Sequence, residues 1–137
     1  SGVRAAPFFD QGIFLVHLNR AKEEFRKGSY EEARRQFETA MKFRPNDAEV
    51  LSGLSLTLFH LGDLEDAERL TRGLLLVHPD SAPLLFNRGL ILYKAGRDAE
   101  AREAFNRAIA LANSPAEAAH IRMHLDNLAK GAGAKSA

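Results

Sequence analysis

The chain has 137 residues, 45% of them apolar, which is enough for one domain with a continuous core. Nineteen basic and eighteen acidic side chains leave a net charge of +1, without the cationic surplus that bulk nucleic-acid binding draws on. The absence of Cys excludes disulfides and thiolate metal sites and fits a reducing compartment, so a cytoplasmic location is expected. The longest apolar runs, Ile13 to Val16 and Leu74 to Val77, fall far short of the roughly 18 residues of a membrane span. No secretory signal is visible, and the start at Ser1-Gly2, without Met, reads as an excised domain.

Residues 1–12 contain Pro7 and Gly12 and read as a lead-in segment, with Asp10 placed to N-cap the first helix. Phe14, Leu18, Ala21 and Phe25 then recur at helical spacing, predicting a helix from Ile13 to Lys27 that Gly28 ends. Ser29 is a candidate cap for a second helix to about Phe43, with Glu31 and Glu32 favourably placed against its dipole, and Pro45 stops it. The same pattern predicts helices over 48–61, 64–77, 82–95 and 98–112, with turns at Gly62 and Gly96. A seventh covers 116–130, where Ile121, Leu125 and Leu128 share a face. The third junction, Asn113-Ser114-Pro115, carries a small insertion. The tail 131–137 (GAGAKSA) has flexible-linker composition.

Several positions repeat every 34 residues: Gly28, Gly62 and Gly96; Phe25, Phe59 and Tyr93; Ala33, Ala67 and Ala101; Ala21, Ser55 and Gly89. Pro45 and Pro79 keep the same interval. A fixed period of this length means one supersecondary unit copied and stacked, hence a solenoid. The small residues at 21, 55 and 89 face those at 33, 67 and 101 and let paired helices approach closely. Leu51, Leu54 and Leu58 form an apolar stripe that becomes His17, Arg20 and Glu24 in the first copy, predicting a polar outer end to the array.

The unit resembles the tetratricopeptide repeat, a 34-residue antiparallel helix pair. The first copy carries the resemblance in Ala21, Gly28, Tyr30, Ala33, Phe37, Ala40 and Pro45. The second does so in Leu51, Leu54, Leu58, Gly62, Ala67 and Pro79, and the third in Leu85, Gly89, Leu92, Gly96, Ala101, Phe105 and Ala108. It implies an all-α, right-handed superhelical solenoid of seven helices over residues 13–130, with repeats at 14–47, 48–81 and 82–115 and a capping helix at 116–130. It also implies a non-catalytic protein-interaction domain whose first helices line a concave groove for a partner's peptide or helix. Mapped onto this chain, the groove residues are Leu18, Lys22, Phe25 and Arg26; Leu56, Phe59 and His60; Phe86, Asn87, Leu90, Tyr93 and Lys94; and Arg122 from the cap. Phe25, Phe59 and Tyr93 would form an aromatic ladder, either as binding anchors or as seals between repeats. The expected occupant is an apolar or amphipathic segment with acidic residues to meet Lys22, Arg26, Lys94 and Arg122.

Some members of the family clamp the carboxylate tail of heat-shock chaperones. The matching positions here, Leu18, Lys22, Gly53, Pro83 and Asn87, offer too few donors of the needed type, so that partner is not expected. The alternatives are a small secretion-type chaperone holding an unfolded client, or a homo-oligomerisation module built on Phe8, Phe9, Ile13 and Phe14. No catalytic constellation appears: the serines lack a base at recognisable spacing and no phosphate loop is present. His120 and His124 are four apart on one helix but lack the Glu and third ligand of a zinc motif, so neither metal nor cofactor is expected. High Ala and Arg usage hints at a bacterial source.

Overall fold

The computed structural model describes the backbone of residues 7–136 and the side chains of residues 10–131. Among these residues the chain is all-helical. The elements are α1 (Pro7–Lys27), α2 (Tyr30–Phe43), α3 (Ala48–Leu61), α4 (Leu64–Val77), α5 (Ala82–Lys94), α6 (Asp98–Leu111) and α7 (Pro115–Ser136). Interior boundaries fall within a residue or so of those read from periodicity. The two outer ones do not. α1 starts at Pro7 rather than Ile13, because proline in a first turn gives up only an N–H that has no helical partner. Asp10 therefore lies inside the first turns and not at a cap. At the other end α7 continues to Ser136, with alanine favouring the helix where glycine weakens it, so the backbone of the expected linker is helical as far as residue 136.

The turns match the sequence closely. Gly28, Gly62 and Gly96 have φ of 82°, 86° and 81°, the left-handed conformation glycine takes without a Cβ penalty. Capping is less uniform. Asp47 accepts a bond from the Val50 amide and Ser81 one from the Leu84 amide, whereas Ser29 makes no side-chain capping bond. At the third junction the Ser114 hydroxyl accepts from the Glu117 amide at 3.1 Å, while the Glu117 carboxylate accepts from the Asn113 amide at 2.7 Å. That reciprocal pair starts α7 behind Pro115.

The chain forms two compact units, residues 1–67 and 68–137, with the boundary inside α4. In the first unit α1 packs on α2 and α2 on α3 around Leu18, Ala21, Ala33, Phe37, Ala40, Val50 and Leu54. Ala21 and Ala33 are fully buried, and the Ser55 hydroxyl donates to the Ala67 carbonyl at 3.0 Å, the close approach that small residues permit. His17, at the expected polar end, stacks on Phe43 at 6.3 Å and lies 2.7 Å from the Gln36 amide oxygen. In the second unit α6 packs on α5 and on α7, and Leu85, Leu92, Ala101, Ala104, Phe105, Ala108, Ile121 and Leu128 form the core. Phe105 lies close over Gly89, where a Cβ would stand 2.5 Å from the ring. Arg97, just before α6, donates to Glu100 and to Glu68, each at 2.7 Å. No helix among the described residues is long and apolar enough to cross a membrane.

Candidate docking cleft

The first unit contains an open cleft of about 840 Å³ between α1 and α3. Its floor is Phe37, Gly53 and Leu56, and its rim carries Asn19, Lys22, Glu23, Arg26, Glu49 and Ser52. Gly53 makes the floor. A Cβ there would lie 2.4 Å from the Phe37 ring, so the aromatic of α2 reaches the surface of α3 only because position 53 has no side chain. Across the mouth, Lys22 Nζ of α1 meets Glu49 Oε2 of α3 at 2.9 Å, and Arg26 pairs with Glu23 along α1. Both pairs are solvent-exposed, so each is worth at most about 1 kcal/mol and can be exchanged for a partner's charges. An apolar floor under an exchangeable charged rim suits a side chain that is greasy at its tip and flanked by polar groups.

Beside the cleft lies a cluster of rings. Tyr30 stacks on His60 at 4.4 Å, and Phe25 and Phe59 meet the His60 ring edge-on at 5.5 Å and 5.1 Å. Phe25 also touches Tyr30 at 5.4 Å. Two rungs of the expected ladder thus meet at one histidine, and neither is fully open to solvent. The third, Tyr93, is half-buried against the core of the second unit.

The structure separates the groove residues expected from sequence. Lys22, Phe25, Arg26 and Leu56 line the cleft, and Phe59 and His60 stand in the ring cluster. Leu18 and Asn87 are buried, at 4% and 7% exposure, and present little surface. In the second unit Phe86 is engaged by Phe105, His120 and His124 at 5.0–5.8 Å, and Leu90 packs on the core. Lys94 and Arg122 are exposed. In the N-terminal cluster Phe14 is buried beneath the Arg44 guanidinium, 5.2 Å from its ring, because α1 presents it to α2. Phe14 is therefore unavailable for self-association. Ile13 is half-buried, and the side chains of Phe8 and Phe9 lie outside the described residues. Leu15 and Val16 are the exposed apolar pair there.

Sequence reasoning missed two contributors to this region, Phe37 and Tyr30. Phe37 reads as core from its spacing, and it is core at 2% exposure, yet its ring edge floors the cleft. The available signal was Gly53, a glycine in mid-helix where the neighbouring copies carry Asn19 and Asn87.

A smaller cleft of about 440 Å³ in the second unit has Leu85 and Ala104 beneath Arg88, Glu100, Glu103 and Arg107. Arg97 holds the Glu100 carboxyl below the usual range by a direct hydrogen bond. Among the described residues no group of three or more His, Cys, Asp or Glu side chains could hold a metal.

Comparison with known proteins gives one consistent picture. A family profile described as tetratricopeptide repeat matches residues 24–87, and a second with the same description matches 82–115. Human tetratricopeptide repeat protein 7B is 33% identical over 113 residues, 82% of this chain and 13% of that protein. An uncharacterized protein of Rhizobium meliloti is 62% identical over 42 residues, 31% of this chain and 10% of its own length. The matched segments thus cover only 10% and 13% of the length of these curated relatives. Among solved structures, the type III secretion translocator chaperone SycD of Yersinia enterocolitica superposes with a TM-score of 0.76 at 17% identity, covering 95% of this chain and 90% of that one. PcrH of Pseudomonas aeruginosa, in complex with the chaperone-binding region of PopD, gives 0.74 at 19% identity and covers 95% and 98%. At these identities the likeness establishes the fold.

Proposed function

The chain belongs to the tetratricopeptide repeat family, and on that premise we propose that it is a non-catalytic docking domain of a larger assembly that takes an apolar or amphipathic partner segment in the cleft between α1 and α3. Repeats of this fold serve protein–protein interaction, and two neighbours hold partner segments: one structure carries the HSP90 peptide SRMEEVD and another the chaperone-binding region of PopD. The observation that carries the reading is the cleft itself, with its apolar floor at Phe37, Gly53 and Leu56 inside a charged rim. Its rim refines the expected partner. Lys22 and Arg26 already face Glu49 and Glu23, so an occupant gains by exchanging pairs and not by supplying acidic charge alone. Affinity would come from apolar burial at about 25 cal/mol per Å² less ordering costs, and micromolar binding is expected.

Affinity capture from the source lysate tests this reading. The unmodified chain is compared with Leu56→Glu and with Leu76→Glu, a change at an exposed apolar position outside the cleft. A protein retained by the unmodified chain and Leu76→Glu but lost by a folded Leu56→Glu is expected. Equal retention by all three would remove the cleft from the mechanism.

One observation favours a second reading, self-association through α1: Leu15 and Val16 are 42% and 55% exposed side by side. Light scattering decides it, since a dimer held there falls to monomer mass in Leu15→Glu/Val16→Glu, and an unchanged mass discards it.

A further inference from the structure

His120 and His124 lie one turn apart on α7, and their ring centroids are 5.1 Å apart. An imidazole nitrogen binds zinc at about 2.0–2.1 Å, and two such rings at a tetrahedral angle place their centres about 5 Å apart, which is the spacing found. Both rings rest on Phe86, at 5.3 Å and 5.0 Å, and His124 also lies 6.4 Å from Phe105. The aromatic floor holds the pair on one side of the helix and limits the rotamers lost on chelation. His120 is exposed, so an ion can reach the pair from solvent. His124 is partly buried, which holds its ring in place beside His120.

We propose that His120 and His124 form a two-imidazole chelate for a divalent transition-metal ion of borderline softness, zinc or copper, on the open side of α7. Imidazole is the ligand type that suits these ions. No third protein donor of the usual kind stands within a cluster among the described residues, so water fills the remaining positions, or a donor from a bound partner does. The ion would pin one turn of α7 directly above Phe86. It would also give the second unit a point of attachment for a partner's imidazole or carboxylate, independent of the apolar cleft in the first unit.

The test is calorimetric titration of the full chain with Zn²⁺ and, separately, Cu²⁺ near neutral pH. The same titrations are run on His120→Gln, His124→Gln and the control His78→Gln, each checked for helicity by circular dichroism. The expected result is one ion per chain, copper tighter than zinc, at least tenfold weaker binding in each of the first two variants and unchanged binding in the control. His120 is exposed, so its variant keeps the fold and reads the site alone. Absence of binding at millimolar metal, or full affinity in His120→Gln, overturns the proposal.

Discussion

At the scale of single residues, glycine does two separate jobs in this chain. At Gly28, Gly62 and Gly96 it supplies a positive φ, with nothing within 4 Å of where a Cβ would stand. Gly62→Ala is therefore expected to cost about 1–2 kcal/mol through backbone strain alone. At Gly53 and Gly89 the backbone is ordinary helix, and the missing side chain makes room for the rings of Phe37 and Phe105. Gly89→Ala should cost about 1–3 kcal/mol by overpacking, and the loss should be partly recovered when Phe105 is shortened to Leu in the same chain. Urea unfolding of the three variants measures both effects. The turn glycines are legible in the sequence because they recur at a fixed interval. The packing glycines are only partly so: Gly89 keeps the 34-residue interval of the small residues Ala21 and Ser55, and Gly53 stands out as a mid-helix glycine between Asn19 and Asn87, but the ring that covers each one comes from a different neighbouring helix and is not written in the interval. Histidine titration adds a residue-scale prediction. The folded His124 holds its proton less readily than the ordinary 6.5, so the unfolded chain binds more protons in the interval just below that value. Stability is full above pH 6.5 and falls as pH drops through this interval, and His124→Gln should flatten that step in a melting-temperature profile.

At the scale of elements, the interior helices were readable because apolar periodicity, a glycine stop and a proline beyond it agree at the repeated boundaries. The outer ends were not, because Pro7 and the Gly-Ala tail look like terminators or linker in isolation yet are compatible with the first turn and the last turns of a helix. Burial within each helix was only half legible. The period fixes which positions share a face but not which of two neighbours meets the adjacent helix, and so Leu18, assigned to the groove, lies in the core. α7 contributes Ile121 and Leu128 to the core of the second unit, at 2% and 1% exposure. Leu128→Ala should destabilise that unit by about 2–5 kcal/mol, with hydrogen exchange in α5 and α6 accelerating. Unchanged protection there would mean that α7 is an ornament and not a cap.

At the scale of the whole molecule, labour is divided between a repeated framework and a departure from the repeat at Gly53. The framework is all-α, its copies share turns and small-residue contacts, and its capacity for protein interaction comes with the family. The break is the cleft, where Gly53 stands in place of a polar residue and Phe37 floors the opening. The peptide SRMEEVD, which a structural neighbour holds, is expected not to bind here at micromolar concentration, because Leu18, Gly53 and Pro83, at the positions matching the carboxylate clamp, supply no side-chain donor. Fluorescence anisotropy with the labelled peptide checks this. Docking in the cleft is tested most directly by amide chemical-shift mapping of the full chain as the captured partner segment is added. The largest shifts are expected on Lys22, Glu49, Ser52, Gly53 and Leu56. Shifts confined to the charged outer residues of α2 and α6, such as Arg35 and Arg102, would contradict it.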